Sequence, residues 1–229
     1  MKKILMSLTK FERILWLTSF TVVLLSFLLS PQKDYLTLIA SLIGISALIF
    51  IAKGYIIGQV LIIIFAVFYG IISFIFRYYG EVITYLGMSA PMAILALVSW
   101  VKHPYKDTNE VEINAKLSKK QFLLMPVLTS LVTVIMYFVL KYLGTENIVF
   151  STFSVATTFI AVYLTYLRNP FYALGYVAND VVLIVLWVLA VFENASYIPM
   201  IACFLMFLIN DTYGFISWQK RSKKQSIQI

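Results

Sequence analysis

Tyr172-Ala-Leu-Gly-Tyr-Val-Ala-Asn179-Asp180-Val-Val-Leu-Ile-Val-Leu-Trp187-Val-Leu-Ala-Val-Phe192 is an apolar run with an amide and an acid near its middle. A second run, 195–218, carries Asn210-Asp211 in the same way. An α-helix rises 1.5 Å per residue, so about 20 residues cross the hydrocarbon core of a bilayer. An ionised carboxylate at that depth costs roughly 2.5–3.5 kcal/mol on insertion scales, so such residues usually face a cavity or a partner. Neither run contains Lys, Arg or His. The missing cation is then a ligand, a proton or an ion, which points to transport. The alternative reading is a polar contact that only holds helices together.

Composition extends this reading to the whole chain. The 229 residues are 62% hydrophobic and 12% charged, against about 25% charged in soluble domains. The mean hydropathy is +0.92. These values describe an all-α polytopic membrane protein whose partner is the lipid bilayer. The net charge of +8 is no nucleic-acid signal, because the basic residues gather at the ends of apolar segments. The lone histidine, His103, lies in a polar stretch and the lone cysteine, Cys203, in an apolar one, so neither a histidine metal site nor a disulfide framework is expected. HExxH, Gly-x-Ser-x-Gly and phosphate-loop patterns are missing from the sequence, which argues against an enzyme and implies no cofactor.

Eight spans are expected, near 14–30, 35–52, 55–76, 82–101, 121–140, 147–167, 170–192 and 195–218. Polar breaks separate them, among them Pro31-Gln32-Lys33-Asp34, Lys53-Gly54, Gly80-Glu81, Gly144-Thr145-Glu146-Asn147, Arg168-Asn169-Pro170 and Glu193-Asn194. With eight spans and an inside N-terminus, 15 of the 18 Lys and Arg fall on the cytoplasmic side. Only Lys33, Arg77 and Lys141 fall outside, so both termini are expected in the cytoplasm. The first span also resembles a signal peptide, but Leu29-Ser30-Pro31 disfavours cleavage and a retained helix is expected.

Two stretches look related. Glu81-x-x-x-Tyr85-x-x-Met88 matches Glu193-x-x-x-Tyr197-x-x-Met200, and each precedes a span ending in Trp-x-Lys, at Trp100 and Trp218. Basic breaks followed by Gly58 or Gly175 recur upstream. The offsets run from 112 to 118 residues. The expected organisation is an N-terminal helix (1–34), a three-helix repeat (35–101), a cytoplasmic loop and linking helix (102–146), a second repeat (147–219) and a basic tail (220–229). The linking span returns the second triplet to the orientation of the first. Such parallel repeats are used by transporters that bind substrate at the repeat interface.

Helical spacing puts Tyr172, Tyr176, Asp180 and Trp187 on one stripe, with Asn179 at its edge. Phe207, Asp211, Gly214 and Trp218 form another, flanked by Asn210 and Tyr213. Aromatic faces, amides and carboxylates together suit an aromatic cation carrying a polar sugar. Membrane-interface belts are the alternative for Tyr172, Trp187 and Trp218. Gln59 lines the path or makes an interhelical bond. Ser154, Thr158, Ala161 and Thr165 read as a packing stripe, Glu81 and Glu193 as solvated ends. The basic stretch 102–120 and Lys220–Lys224 read as topology signals, with anionic-lipid binding open.

The runs Tyr172–Trp187 and Asn210-Asp-Thr-Tyr-Gly-Phe-Ile-Ser-Trp218 resemble the second triplet of the PnuC family, bacterial transporters of nicotinamide riboside with relatives proposed for thiamine, riboflavin and deoxynucleosides. The resemblance implies a SWEET-like pair of triplets, a bacterial inner-membrane location and a homo-oligomer, a trimer being one form. It also implies facilitated movement, with phosphorylation by a cytoplasmic kinase trapping the product. The family's pair of tryptophans is replaced here by Tyr172, Tyr176, Asn179 and Asp180, and Asp211 stands where the family often has Asn. An ion-coupled carrier using Asp180 or Asp211, another vitamin or nucleoside as substrate, and a non-transporting scaffold are the other readings.

Overall fold

The computed structural model describes residues 7–31, 33–75, 82–145 and 147–227. They form eight α-helices: α1 Lys10–Leu29, α2 Tyr35–Ala52, α3 Ile56–Ile75, α4 Ala90–Lys102, α5 Lys119–Tyr142, α6 Ile148–Tyr166, α7 Tyr172–Glu193 and α8 Ile198–Ile227. A π-helical turn, Ile83–Ser89, runs into α4, and a short 3-10 turn, Ala195–Tyr197, into α8. Counting Ile83–Lys102 as one, seven segments are long and apolar enough to cross a membrane, and α3 adds the shorter apolar stretch Ile56–Ile71. The residues Lys2, Lys3, Gln32, Arg77, Gly80, Glu81 and Glu146, used above for breaks and charge placement, lie outside the described residues, as does the side chain of Glu193.

Local chemistry explains where the helices begin. Thr9 and Glu12 form a reciprocal capping box at α1, and Ser118 and Gln121 do the same at α5. Asp34 accepts from the amides of Leu36 and Thr37 at the start of α2. Two helices end alike: the chain leaves α2 through Gly54 at φ 69° and α6 through Arg168 at φ 58°, both left-handed.

Side-by-side packing joins α2 to α3, α3 to α4, α6 to α7 and α7 to α8. The two groups then cross-connect, α8 against α2 and α4 against α6. Helix α1 packs on α2 and α8, and α5 on α6. Two glycines set close approaches. A Cβ at Gly58 would meet the Ile51 amide nitrogen at 2.7 Å, and one at Gly175 would meet the Ala161 Cα at 2.8 Å. Only hydrogen fits at either place.

The cross-connections recur in matching pairs at one end of the bundle. Trp100 Nε1 donates to the Thr165 carbonyl (3.0 Å) and Trp218 Nε1 to the Ile51 carbonyl (2.8 Å). Ser99 Oγ donates to the Tyr166 carbonyl and Ser217 Oγ to the Ala52 carbonyl, both at 2.7 Å. The two indoles meet between them, 5.4 Å apart, and both are fully buried.

Three sequence readings change here. The basic tail is not a separate appendage, because α8 runs unbroken to Ile227; its 30 residues span about 45 Å, beyond the ~30 Å hydrocarbon core. The stretch 102–120 is more than a solvated charge signal: Val111 is buried among Ile51, Trp100, Tyr172 and Trp218, although the lysines remain exposed. Lys53 is likewise no solvated topology residue, for it is buried against Glu12 at 3.2 Å.

Candidate functional site

Asp180 on α7 and Asp211 on α8 are both 3% exposed, on helices that pack side by side, and their carboxyls are near enough to interact electrostatically. Among the described residues no Lys or Arg forms an ion pair with either. Two carboxylates buried near each other repel unless a proton or a cation lies between them. The geometry therefore makes a place for positive charge.

Apolar layers close the pair off on both sides. One turn from Asp211 on either side are Phe207 and Phe215, which belong to different clusters. Phe207 packs with Ile45, Leu48, Phe204 and Cys203, joined by Phe65, Tyr69, Leu183, Ile184 and Trp187. Phe215 borders the cluster of Tyr172, Trp100, Trp218 and Val111, which Tyr176 also joins. On α7 the same division falls between Tyr176 below Asp180 and Leu183 above it. A buried polar layer thus separates two apolar ones.

Aromatic rings flank that layer. Tyr172 stands edge-on to Trp218 at 4.8 Å and to Tyr176 at 6.1 Å. Its hydroxyl lies beside Gly214, where a Cβ would come within 3.2 Å. On the other side Phe65 touches Tyr85 and Phe207 at 6.0 and 6.1 Å, and Tyr69 packs on Tyr85 at 4.5 Å. Tyr85 projects from the π-helical turn, a widening of the helix often found at functional sites. Sequence reasoning missed Phe65, Tyr69 and Tyr85; a 3.6-residue stripe through Phe65 and Tyr69 was there to read, but the π turn was not.

The remaining candidates divide. Tyr172, Tyr176, Asp180 and Asp211 come together. Gln59 is 1% exposed and shares its face of α3 with Ile62, which packs into the Tyr172 cluster. Asn179 is held by α6 instead: its Oδ1 accepts from Ser154, Thr157 and Thr158, each at 3.0 Å. Asn210 donates from Nδ2 to Ser19 Oγ on α1 (2.9 Å) and to the Met206 carbonyl. Tyr213 donates its hydroxyl to Glu12 Oε1 at 2.9 Å, within the α1 contact. Trp187 packs against Tyr197, at the far end of α7.

Four buried polar atoms on these residues have no partner: Gln59 Nε2, Tyr172 Oη, Asp180 Oδ2 and Asn210 Oδ1. Each such atom costs about 1–3 kcal/mol if left unmet, so a concentration of them marks unused binding capacity. Two cavities were found elsewhere and touch neither acid. One of about 260 Å³ lies between α5 and α6 near Thr133 and Phe153, the other of about 200 Å³ near Glu12, Tyr213 and Arg221.

Apolar helices of spanning length around buried acids define a multi-span membrane protein of the transporter class. The family model described as "Nicotinamide mononucleotide transporter" matches residues 34–220. A nicotinamide riboside transporter PnuC from Neisseria mucosa is 30% identical over 96% of this chain and 85% of its own length. The crystal structure of a vitamin B3 transporter PnuC superposes with a TM-score of 0.80 and 26% identity, covering 96% of this chain and 94% of that one. The chain belongs to the PnuC family of nicotinamide mononucleotide transporters, and so is a transporter rather than an enzyme.

Proposed function

We propose that the chain carries nicotinamide riboside into the bacterial cytoplasm by facilitated diffusion, through a site at the Asp180–Asp211 layer between two three-helix repeats. The observation that carries this reading is the buried acid pair with no basic partner among the described residues, bordered by Tyr172 and Tyr176. A fixed positive charge on an aromatic ring would meet the carboxylates and the ring faces together, and the open polar atoms of Gln59 and Tyr172 would take sugar hydroxyls. The relative whose printed name is nicotinamide riboside transporter supports the same ligand. Thiamine carries the same kind of charge; neutral nucleosides leave the acids uncompensated.

The matched contacts at Trp100 and Trp218 support a SWEET-like arrangement, α2–α4 as one triplet and α6–α8 as the other. They gather Lys102, Arg168 and Lys220 at one end, which we assign to the cytoplasm with both termini. A homo-oligomer in the membrane and a cytoplasmic kinase that traps the solute complete the reading. Uptake of labelled nicotinamide riboside into proteoliposomes tests it. Saturable flux is expected, unchanged by a protonophore or by removal of sodium. Flux that vanishes with either gradient would replace facilitated diffusion by ion coupling at the acid pair.

A further inference from the structure

The segment 103–117 forms a strap across the end of the bundle assigned to the cytoplasm. Its backbone is pinned to both groups of helices at equivalent places. The Val111 amide donates to the Gly54 carbonyl (2.9 Å) and the Asn114 amide to the Arg168 carbonyl (3.0 Å), the two left-handed residues that end α2 and α6. Asn169, almost fully buried, returns a bond from Nδ2 to the Asn114 carbonyl at 2.9 Å. Val111 is 1% exposed and reaches the cluster of Trp100, Trp218 and Tyr172, with Ile113 and Leu117 packed against it. The strap thus covers the apolar layer that separates the acid pair from this end.

The part of α8 beyond the bilayer clasps the strap. Arg221 is ion-paired with Glu110. Gln225, 5% exposed, accepts from the Ile113 amide at 2.8 Å and donates to the Val111 carbonyl at 3.2 Å. Arg221 and Gln225 are four apart, so they share one face of the helix. An amide side chain that bonds both ways to a loop backbone fixes that loop's register, beyond what a topology signal requires.

From these contacts we infer that segment 103–117 is the cytoplasmic gate, and that Arg221 and Gln225 are its latch. A solute at the acid pair has the Tyr172–Trp218 layer beneath it, and that layer is sealed by Val111 and Ile113. Separating α2 from α6 at this end, as alternating access between repeats requires, makes the strap give up at least one of the two backbone bonds by which it bridges them. Release inward therefore follows strap lifting, while access from the other side leaves the strap in place. This inference rests on the orientation and substrate proposed above.

The test uses the full chain in proteoliposomes, with Ile113→Cys and Gln225→Cys in a Cys203→Ser background. A short bis-methanethiosulfonate joins the strap to the latch, and dithiothreitol removes it. Cross-linking should lower nicotinamide riboside flux at least about tenfold, keep ligand-induced thermal stabilisation, and be reversed by the reductant. Full flux in a completely cross-linked sample would overturn the gate, and so would loss of binding together with flux, which would make the strap a pillar of the site. If the parent protein shows no flux, the substrate reading fails, and amide exchange decides the gate without any substrate. Glu110→Gln with Gln225→Ala should then speed exchange at Val111 and Asn114 about tenfold while the cores of α2 and α6 keep their protection. Unchanged exchange would sink it.

Discussion

The helices α2–α4 and α6–α8 are alike at one end and opposed in the middle. At the end, Ser99 and Trp100 bond the carbonyls of Tyr166 and Thr165, while Ser217 and Trp218 bond those of Ala52 and Ile51. In the middle, the offset of 117 that relates Gly58 to Gly175 sets Ile62 and Ile63 against Asn179 and Asp180. The offset of 118 that relates Trp100 to Trp218 sets Met92 and Ala93 against Asn210 and Asp211. What is shared joins the two groups; what differs is the chemistry. The two buried mid-helix acids lie on one group, while the other offers the buried amide of Gln59, so in the proposed site a solute would meet charge from one side only.

That asymmetry breaks most visibly at the acids. Asp180→Asn and Asp211→Asn should each cost about 2–5 kcal/mol of binding to a cationic solute, as for truncated buried charge pairs, whereas Ile63→Val in the other group should change affinity little. Titration calorimetry on the purified variants measures both. Equal losses from the two groups would remove the distinction.

The close approaches should behave alike. Gly58→Ala and Gly175→Ala each place a Cβ under 3.0 Å from backbone, and overpacking of this kind costs about 1–3 kcal/mol. Thermal unfolding in detergent should show similar falls. A large loss at one and none at the other would mean that only one helix pair is tightly set.

Next come the indoles. Trp100→Phe and Trp218→Phe each remove the indole donor from a buried carbonyl that keeps one backbone donor, a lost hydrogen bond worth about 0.5–1.5 kcal/mol apiece. Their effects should fall short of additive, because the rings touch; a double-mutant cycle reads the coupling, and strict additivity would contradict a shared contact.

The smallest effect sharpens the likeness of the helix ends. Arg168 holds the left-handed conformation that Gly54 holds in the other group. Gly54→Ala should cost about 1 kcal/mol and Arg168→Gly should recover up to about that much, measured by the same unfolding. Destabilisation by Arg168→Gly would show that its side chain matters more than its backbone.

The helices were legible because apolar run length and polar breaks are local properties. The bond partners were not. Glu12, before the first expected span at 14–30, is 1% exposed and bonded to Lys53 and Tyr213. Asn179 and Asn210 sit about 100° around their helices from the neighbouring acids. The hydroxyls of α6 and Ser19 of α1, far off in sequence, took them. Spacing put Tyr172, Tyr176 and Asp180 on one stripe and Asp211 on another, but did not show the packing of α7 on α8 that brings the two stripes together. The strap was not legible either, since its bonds join residues more than 50 apart and one set runs to a tail that read as charge only.

The central claim is that the Asp180–Asp211 layer binds its solute through positive charge. Calorimetric binding of nicotinamide riboside against its neutral dihydro form, in the parent and in Asp180→Asn/Asp211→Asn, measures this directly. The cation should bind at least about tenfold more tightly, a difference of ~1.4 kcal/mol, and the double variant should lose the preference. Equal affinity for both forms in the parent, or a preference that survives without the acids, would contradict it.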